Sequence, residues 1–286
     1  MTLYIQPKNF ADHLSNEREY CLFLDIDGTL ADFTINPKDS IIPKTTLSLL
    51  QEAQSHDVKI AIVTGRSLTE ARRMLSPLKL PIAATHGLEI AFDSGTCINR
   101  NSDDHDTVVA QVNIMELAAI RQAIIQSCLP YDNVTIENKP YSVALHYRQN
   151  PSLADMAYRI MSTIVKKYSN WILKKGKYVW EIVPKGVNKG TAILTLLENM
   201  RTNDNLCAIF IGDDITDEAG FRAVQGDNES RENRFNAEKY KPEPPGIGIK
   251  VGSEPTCAHY YVHDIREVTL LIHSLLHFCQ KRVALP

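Results

Sequence analysis

Leu22-Phe23-Leu24-Asp25-Ile26-Asp27-Gly28-Thr29-Leu30 is an apolar run that delivers two carboxylates and then turns. Side chains alternate along a strand, so Asp25 and Asp27 fall on one side, where their charges repel unless a cation or an anion-binding task holds the pair. In an open α/β sheet, ligands bind beyond the carboxyl ends of the strands, and an apolar strand that ends in acids fits such a site. A solvated Asp-Gly turn closing an ordinary strand is the plainer reading of the same residues.

Around this strand, the first third of the chain alternates in type. Strands are expected at Cys21 to Leu24, Lys59 to Val63 and Ile82 to Thr85, with helices at Lys44 to Ser55 and Leu68 to Leu78. Such alternation implies parallel strands joined by helical crossovers. After Asp103-Asp104-His105-Asp106 the pattern becomes a helix over Val108 to Ser127 and two strands, Asn133 to Glu137 and Tyr141 to Arg148. A second helix, Ser152 to Lys167, precedes strands Trp171 to Lys174 and Tyr178 to Val183, joined through the short Lys175-Gly176-Lys177 turn. The parallel pattern then resumes with helix Gly190 to Met200, strand Cys207 to Ile211, helix Asp217 to Val224, strand Ile247 to Val251 and a closing helix near Ile265 to Lys281. The expected class is α/β: a core split over 1–105 and 184–286, interrupted by an inserted α+β module at 106–183. Gln225 to Pro245 reads as a polar surface loop.

The chain has 286 residues, 44% hydrophobic and 23% charged, with a net charge of −3. These values carry no basic footprint for nucleic acid and no long apolar run for a membrane, so the expected partner is a small molecule. The polar start, Met1 to Glu19, lacks a signal peptide's apolar segment, and a cytoplasmic, monomeric protein is expected. Six scattered cysteines without a CxxC pair read as reduced thiols. The pairs His259/His263 and His273/His277 lack the intervening glutamate of a zinc protease motif and read as structural.

Three further segments end strands or open helices: Thr64-Gly65-Arg66-Ser67, Lys185-Gly186-Val187-Asn188-Lys189-Gly190 and Gly212-Asp213-Asp214-Ile215-Thr216-Asp217. A hydroxyl followed by glycine lets Thr64 and nearby N–H groups reach one oxyanion, although a helix cap has the same form. Lys189 at a helix start adds an ammonium to the positive end of the dipole. The acids after Ile211 offer hard oxygen ligands that suit Mg²⁺.

Asp25-x-Asp27-Gly28-Thr29, Thr64, Lys189 and Asp213-Asp214-x-x-Asp217 occur in the order and contexts that resemble the four motifs of the haloacid dehalogenase superfamily. The resemblance implies a Rossmann-like core with an inserted cap. It also implies Asp25 as nucleophile, forming an aspartyl-phosphate, and Asp27 as general acid and base. Mg²⁺ would be held by the Asp25 carboxylate, the Asp27 main-chain carbonyl and Asp213, with Asp214 and Asp217 in support. Thr64, with Gly65 and Arg66, and Lys189 would hold the phosphoryl oxygens.

The inserted module carries Glu137-Asn138-Lys139, then Leu145-His146-Tyr147-Arg148, and Glu181-Ile182-Val183-Pro184-Lys185-Gly186. Acids and an ammonium on one strand face can bind sugar hydroxyls, and they can equally form a solvated mixed-charge face. These segments, with His86-Gly87-Leu88-Glu89, are similar to those of trehalose-6-phosphate phosphatases over about Tyr20 to Val251. That similarity implies hydrolysis of trehalose 6-phosphate, with Glu137, Lys139 and Glu181 on the disaccharide and the cap closing over the core. Another sugar phosphatase of the superfamily, or a non-catalytic sugar-phosphate sensor, are the alternatives.

Overall fold

The computed structural model describes residues 2–34, 39–92, 107–109, 112–176, 178–201, 205–226 and 246–283. Cys97, the acidic stretch 103–106, Lys177 and nearly all of the proline-bearing stretch, 227–245, lie outside them. The chain forms two compact units, Met1–Val108 with Asn188–Pro286, and Val109–Val187.

In chain order the elements are β1 (Leu3–Tyr4), β2 (Glu19–Leu24), α1 (Lys44–Ser55), β3 (Lys59–Val63), α2 (Leu68–Leu75), β4 (Ile82–Ala84), β5 (Glu89–Ala91) and β6 (Thr107–Val109). The second unit follows with α3 (Ile114–Cys128), β7 (Thr135–Lys139), β8 (Ser142–His146), α4 (Ala154–Val165), β9 (Trp171–Gly176) and β10 (Val179–Pro184). The first unit then resumes with α5 (Lys189–Met200), β11 (Leu206–Gly212), α6 (Glu218–Gln225), β12 (Ile247–Val251), β13 (Tyr260–Val262) and α7 (Ile265–Val283).

In the first unit the sheet order is β1-β13-β12-β11-β2-β3-β4-β5-β6, and every pair from β1 to β4 is parallel. A parallel sheet needs cover on both faces, and the central strands β2, β3 and β11 are correspondingly apolar beyond their first residues. Leu22, Leu24, Ile60 and Ile62 pack with Leu50 of α1, Leu75 of α2 and Leu271 of α7. Phe23, Ala61, Val63 and Phe210 face the other way, toward Ile193 and Leu196 of α5 and Phe221 of α6. The second unit is an antiparallel sheet, β7-β8-β10-β9. Val143, Leu145 and Ile182 of that sheet pack with Leu117, Ile120 and Ile124 of α3 and Met161 of α4.

Three boundaries differ from expectation for local reasons. The helix expected from Val108 starts only at Ile114, because Asn113 caps it by accepting from Glu116 N–H, and the β-branched Thr107-Val108-Val109 is a strand. Helix α2 stops at Leu75 before Pro77, which cannot continue it. Gly176 pairs with Val179, so β9 continues through Lys175 and Gly176, which were expected in the turn. Strands β1, β5 and β13 are too short to register as periodic runs.

Phe210 is fully buried, with its ring 5.2 Å from that of Phe221. Phe210→Ala should cost about 3–5 kcal/mol in urea unfolding; a loss below about 1 kcal/mol would contradict this packing.

Candidate active site

Strands β11, β2 and β3 are neighbours in parallel register, so the residues after their last positions arrive side by side. Those residues are Asp213, Asp25 and Thr64. Asp25 N–H still donates to Ile211 O at 3.1 Å, and Thr64 N–H to Ala83 O at 2.9 Å, which fixes both beyond the strand ends. The chain then turns back: Leu30 N–H bonds Ile26 O, and Gly28 takes φ +73°. A Cβ at Gly28 would sit 2.1 Å from Asp213 Oδ2, so this position needs glycine for conformation and for space.

Lys189 opens α5 behind the cap of Asn188, and its ammonium is buried between two carboxylates, 3.0 Å from Asp25 Oδ2 and 2.7 Å from Asp217 Oδ1. Burial opposes the Lys189 charge, yet Asp25 and Asp217 outweigh it and hold the ammonium above its ordinary pKa. Asp217 Oδ2 accepts from Asp213 N–H at 3.0 Å and Asp214 N–H at 2.9 Å, so both of its oxygens have donors. Asp217 therefore orients Lys189 and the turn that carries Asp213.

Asp27 has a different cation. Arg66 Nε donates to its Oδ2 at 2.7 Å and Nη2 to its Oδ1 at 2.6 Å, a two-pronged pair with Arg66 itself buried. The two acids that the strand delivers together are thus met by separate cations. Thr64 is fully buried and accepts from Arg66 N–H at 3.2 Å. Ser67, with Glu70, caps α2, so Thr64 is not the helix cap that its sequence also allowed.

Asp25, Asp213 and Asp217 offer oxygens within 4.8 Å of one another, the one such group among the described residues. Asp213 Oδ1 is buried with no hydrogen-bond partner among the described residues. An orphaned carboxylate oxygen in an all-oxygen cluster fits a hard divalent cation. Burial pushes the Asp213 carboxyl up to about 7, helped by Asp217, while Lys189 opposes it. Burial also pushes Asp25 up, against Lys189. Asp214 is exposed and begins the short turn into α6.

In the second unit, register places Glu137 and Glu181 on either side of Ala144, on the sheet face away from the helices. Lys139 Nζ lies 3.1 Å from Glu181 Oε1, which also accepts from the buried Ser142 hydroxyl at 2.6 Å. His146 Nε2 lies 2.8 Å from Glu137 Oε2. One oxygen of each acid is thus engaged, Oε1 of Glu181 and Oε2 of Glu137.

Residues 23–262 match the model of the trehalose-phosphatase family. This chain belongs to that family. The trehalose-phosphatases are phosphoric monoester hydrolases, and the fold is that of the haloacid dehalogenase phosphatases. Similar relatives include the trehalose-6-phosphate phosphatase of Escherichia coli K12, 29% identical over 87% of this chain and 84% of its own. A probable trehalose-phosphate phosphatase of Sinorhizobium fredii is 31% identical over 76% and 78%. The C-terminal domain of Candida albicans trehalose-6-phosphate phosphatase superposes with TM-score 0.71 at 20% identity, over 97% and 98% of the two chains.

Three features of the candidate residues, two in the first unit and one in the second, escape a reading of the sequence. Arg66 is engaged by Asp27, a pairing across 39 positions that no spacing reveals. Lys250 is buried and donates to Asp213 O; a lysine inside the apolar strand Ile247-Gly248-Ile249-Lys250-Val251 is a signal that could have marked it. Ser142 and His146, which hold the acids of the second unit, look like ordinary strand residues. Among the described residues no helix is long and apolar enough to cross a membrane, and no disulfide joins the five described cysteines.

Because Asp213 holds its proton to about 7 when folded and to about 3.8 otherwise, the folded protein binds more protons across that window. Stability of the chelated protein should therefore fall as pH rises from about 4 to about 7. Asp213→Asn should flatten the fall; thermal melts showing the same slope in both proteins would contradict the assignment.

Proposed function

We propose that this chain hydrolyses trehalose 6-phosphate to trehalose and phosphate through an aspartyl-phosphate on Asp25. The observation that carries the reading is Asp25 held by a buried lysine beside an unpartnered Asp213 oxygen, at the ends of three adjacent parallel strands. An Asp25 oxygen attacks phosphorus, and the bond from phosphorus to the sugar oxygen breaks. Asp27 gives its proton to that leaving oxygen. Asp27 then takes a proton from a water that attacks the phosphoryl group, which frees phosphate and returns Asp25 as a carboxylate. Lys189 and Thr64 hold the phosphoryl oxygens where negative charge accumulates, and one prong of the Arg66 pair must open for Asp27 to carry the proton. The Asp25 carboxylate, the Asp27 main-chain carbonyl and Asp213 would hold Mg²⁺, which would supply charge that screens phosphate from its attacking acid.

The sugar is recognised by Glu137, Lys139 and Glu181. Lys139 and Ser142 occupy one oxygen of Glu181, and His146 occupies one of Glu137. The remaining carboxylate oxygens of both are the acceptors proposed for sugar hydroxyls. A hydrogen bond to a charged group contributes about 1.5–3 kcal/mol, so each acid contributes roughly a factor of ten or more.

Phosphate release from trehalose 6-phosphate should require Mg²⁺, cease on chelation, and exceed that from glucose 6-phosphate. Equal rates on the two sugars would remove the disaccharide assignment. Asp25→Asn should lower kcat by about 10³-fold or more. Glu137→Gln or Glu181→Gln should raise KM for trehalose 6-phosphate about tenfold and leave turnover of glucose 6-phosphate nearly unchanged. Equal effects on both substrates would place these acids outside sugar recognition.

A further inference from the structure

After β4 the chain makes a turn that has no part in the chemistry above. Thr85, His86 and Gly87 take φ of 48°, 58° and 100° in succession. A β-branched threonine is an outlier in the left-handed region and histidine is uncommon there, so the surroundings must hold both residues.

Those surroundings are the two elements that face the phosphoryl group. Thr85 N–H donates to Arg66 O at 2.8 Å and His86 N–H to Thr64 O at 2.9 Å, so main-chain bonds stitch the turn to the Thr64 loop. The His86 ring lies over Gly65, where an added Cβ would come 2.7 Å from His86 Cε1. On the other flank, a Cβ at Gly87 would come 2.7 Å from Ala192 Cβ and 3.3 Å from Asn188 O. Asn188 caps the helix that Lys189 opens. One turn is therefore wedged between the loop of Thr64 and Arg66 and the first turn of the Lys189 helix.

We propose that the Thr85-His86-Gly87 turn sets the separation of Thr64 from Lys189, with His86 as a positioning residue that acts through Gly65. The proposal rests on the phosphatase reading and extends it to the phosphate half of the substrate. The backbone strain is stored where two anion-holding elements must keep one spacing, and phosphoryl transfer depends steeply on such placement. The turn bears on phosphate and leaves sugar recognition to the other unit.

His86→Gly tests this directly, because glycine adopts the same φ without strain and removes only the ring over Gly65. Product inhibition separates the two halves of the substrate. The inhibition constant for orthophosphate should weaken about tenfold and kcat should fall by at least as much, while the constant for trehalose stays within about twofold. A damaged fold lowers the amount of active protein and leaves both constants unchanged. An orthophosphate constant equal to that of the parent, or a parallel change in both constants, would overturn the proposal. If His86→Gly fails to fold, as judged by its melting transition, His86→Asn is measured by the same ratio, since asparagine also tolerates this φ. A parent protein without activity on trehalose 6-phosphate would instead remove the underlying phosphatase reading.

Discussion

A buried lysine held between two aspartates organises this molecule. Lys189 is almost wholly inside the first unit, and an ammonium placed there without partners would cost several kcal/mol. Asp25 and Asp217 supply those partners at 3.0 and 2.7 Å, and they come from opposite sides of the sequence insertion. The interaction ties the end of β2, the start of α5 and the turn after β11 into one arrangement. Much of the local backbone follows from it: Asn188 caps the helix so that Lys189 is its first residue, and Asp217 gathers the N–H groups of Asp213 and Asp214.

The same interaction explains how a strand can deliver two acids together. Asp25 is met by Lys189, and Asp27 by the fork of Arg66, so each carboxylate has its own cation and its own surroundings. One acid is buried against an ammonium and the other is partly exposed beside a guanidinium, so the two carboxylates do not share one environment. Asp213, with one oxygen left unpartnered among the described residues, completes a cluster that burial alone makes unfavourable and that a divalent cation would stabilise.

The parallel core was legible because its strands are buried on both faces and read as uninterrupted apolar runs. Helix Lys44–Ser55, strand Lys59–Val63 and strand Ile247–Val251 fall where periodicity puts them. The motif acids were legible because each ends such a run. What stayed hidden depends on contacts between distant positions. Arg66 carries no mark of its pairing with Asp27, and Thr85 and His86 carry none of their left-handed backbone. Ser142 is fully buried on the polar face of the second sheet through its bond to Glu181, a tertiary effect that alternation cannot show. Short strands such as Tyr260–Val262 take their form from the neighbouring strands on either side rather than from their own pattern.

The central claim is that Asp25 takes the phosphoryl group before water does, and the stereochemical course at phosphorus tests it most directly. Each in-line displacement inverts the configuration, so trehalose 6-phosphate carrying a chirally labelled phosphoryl group should yield phosphate with net retention after two displacements. Net inversion would show a single attack by water and contradict the role given to Asp25.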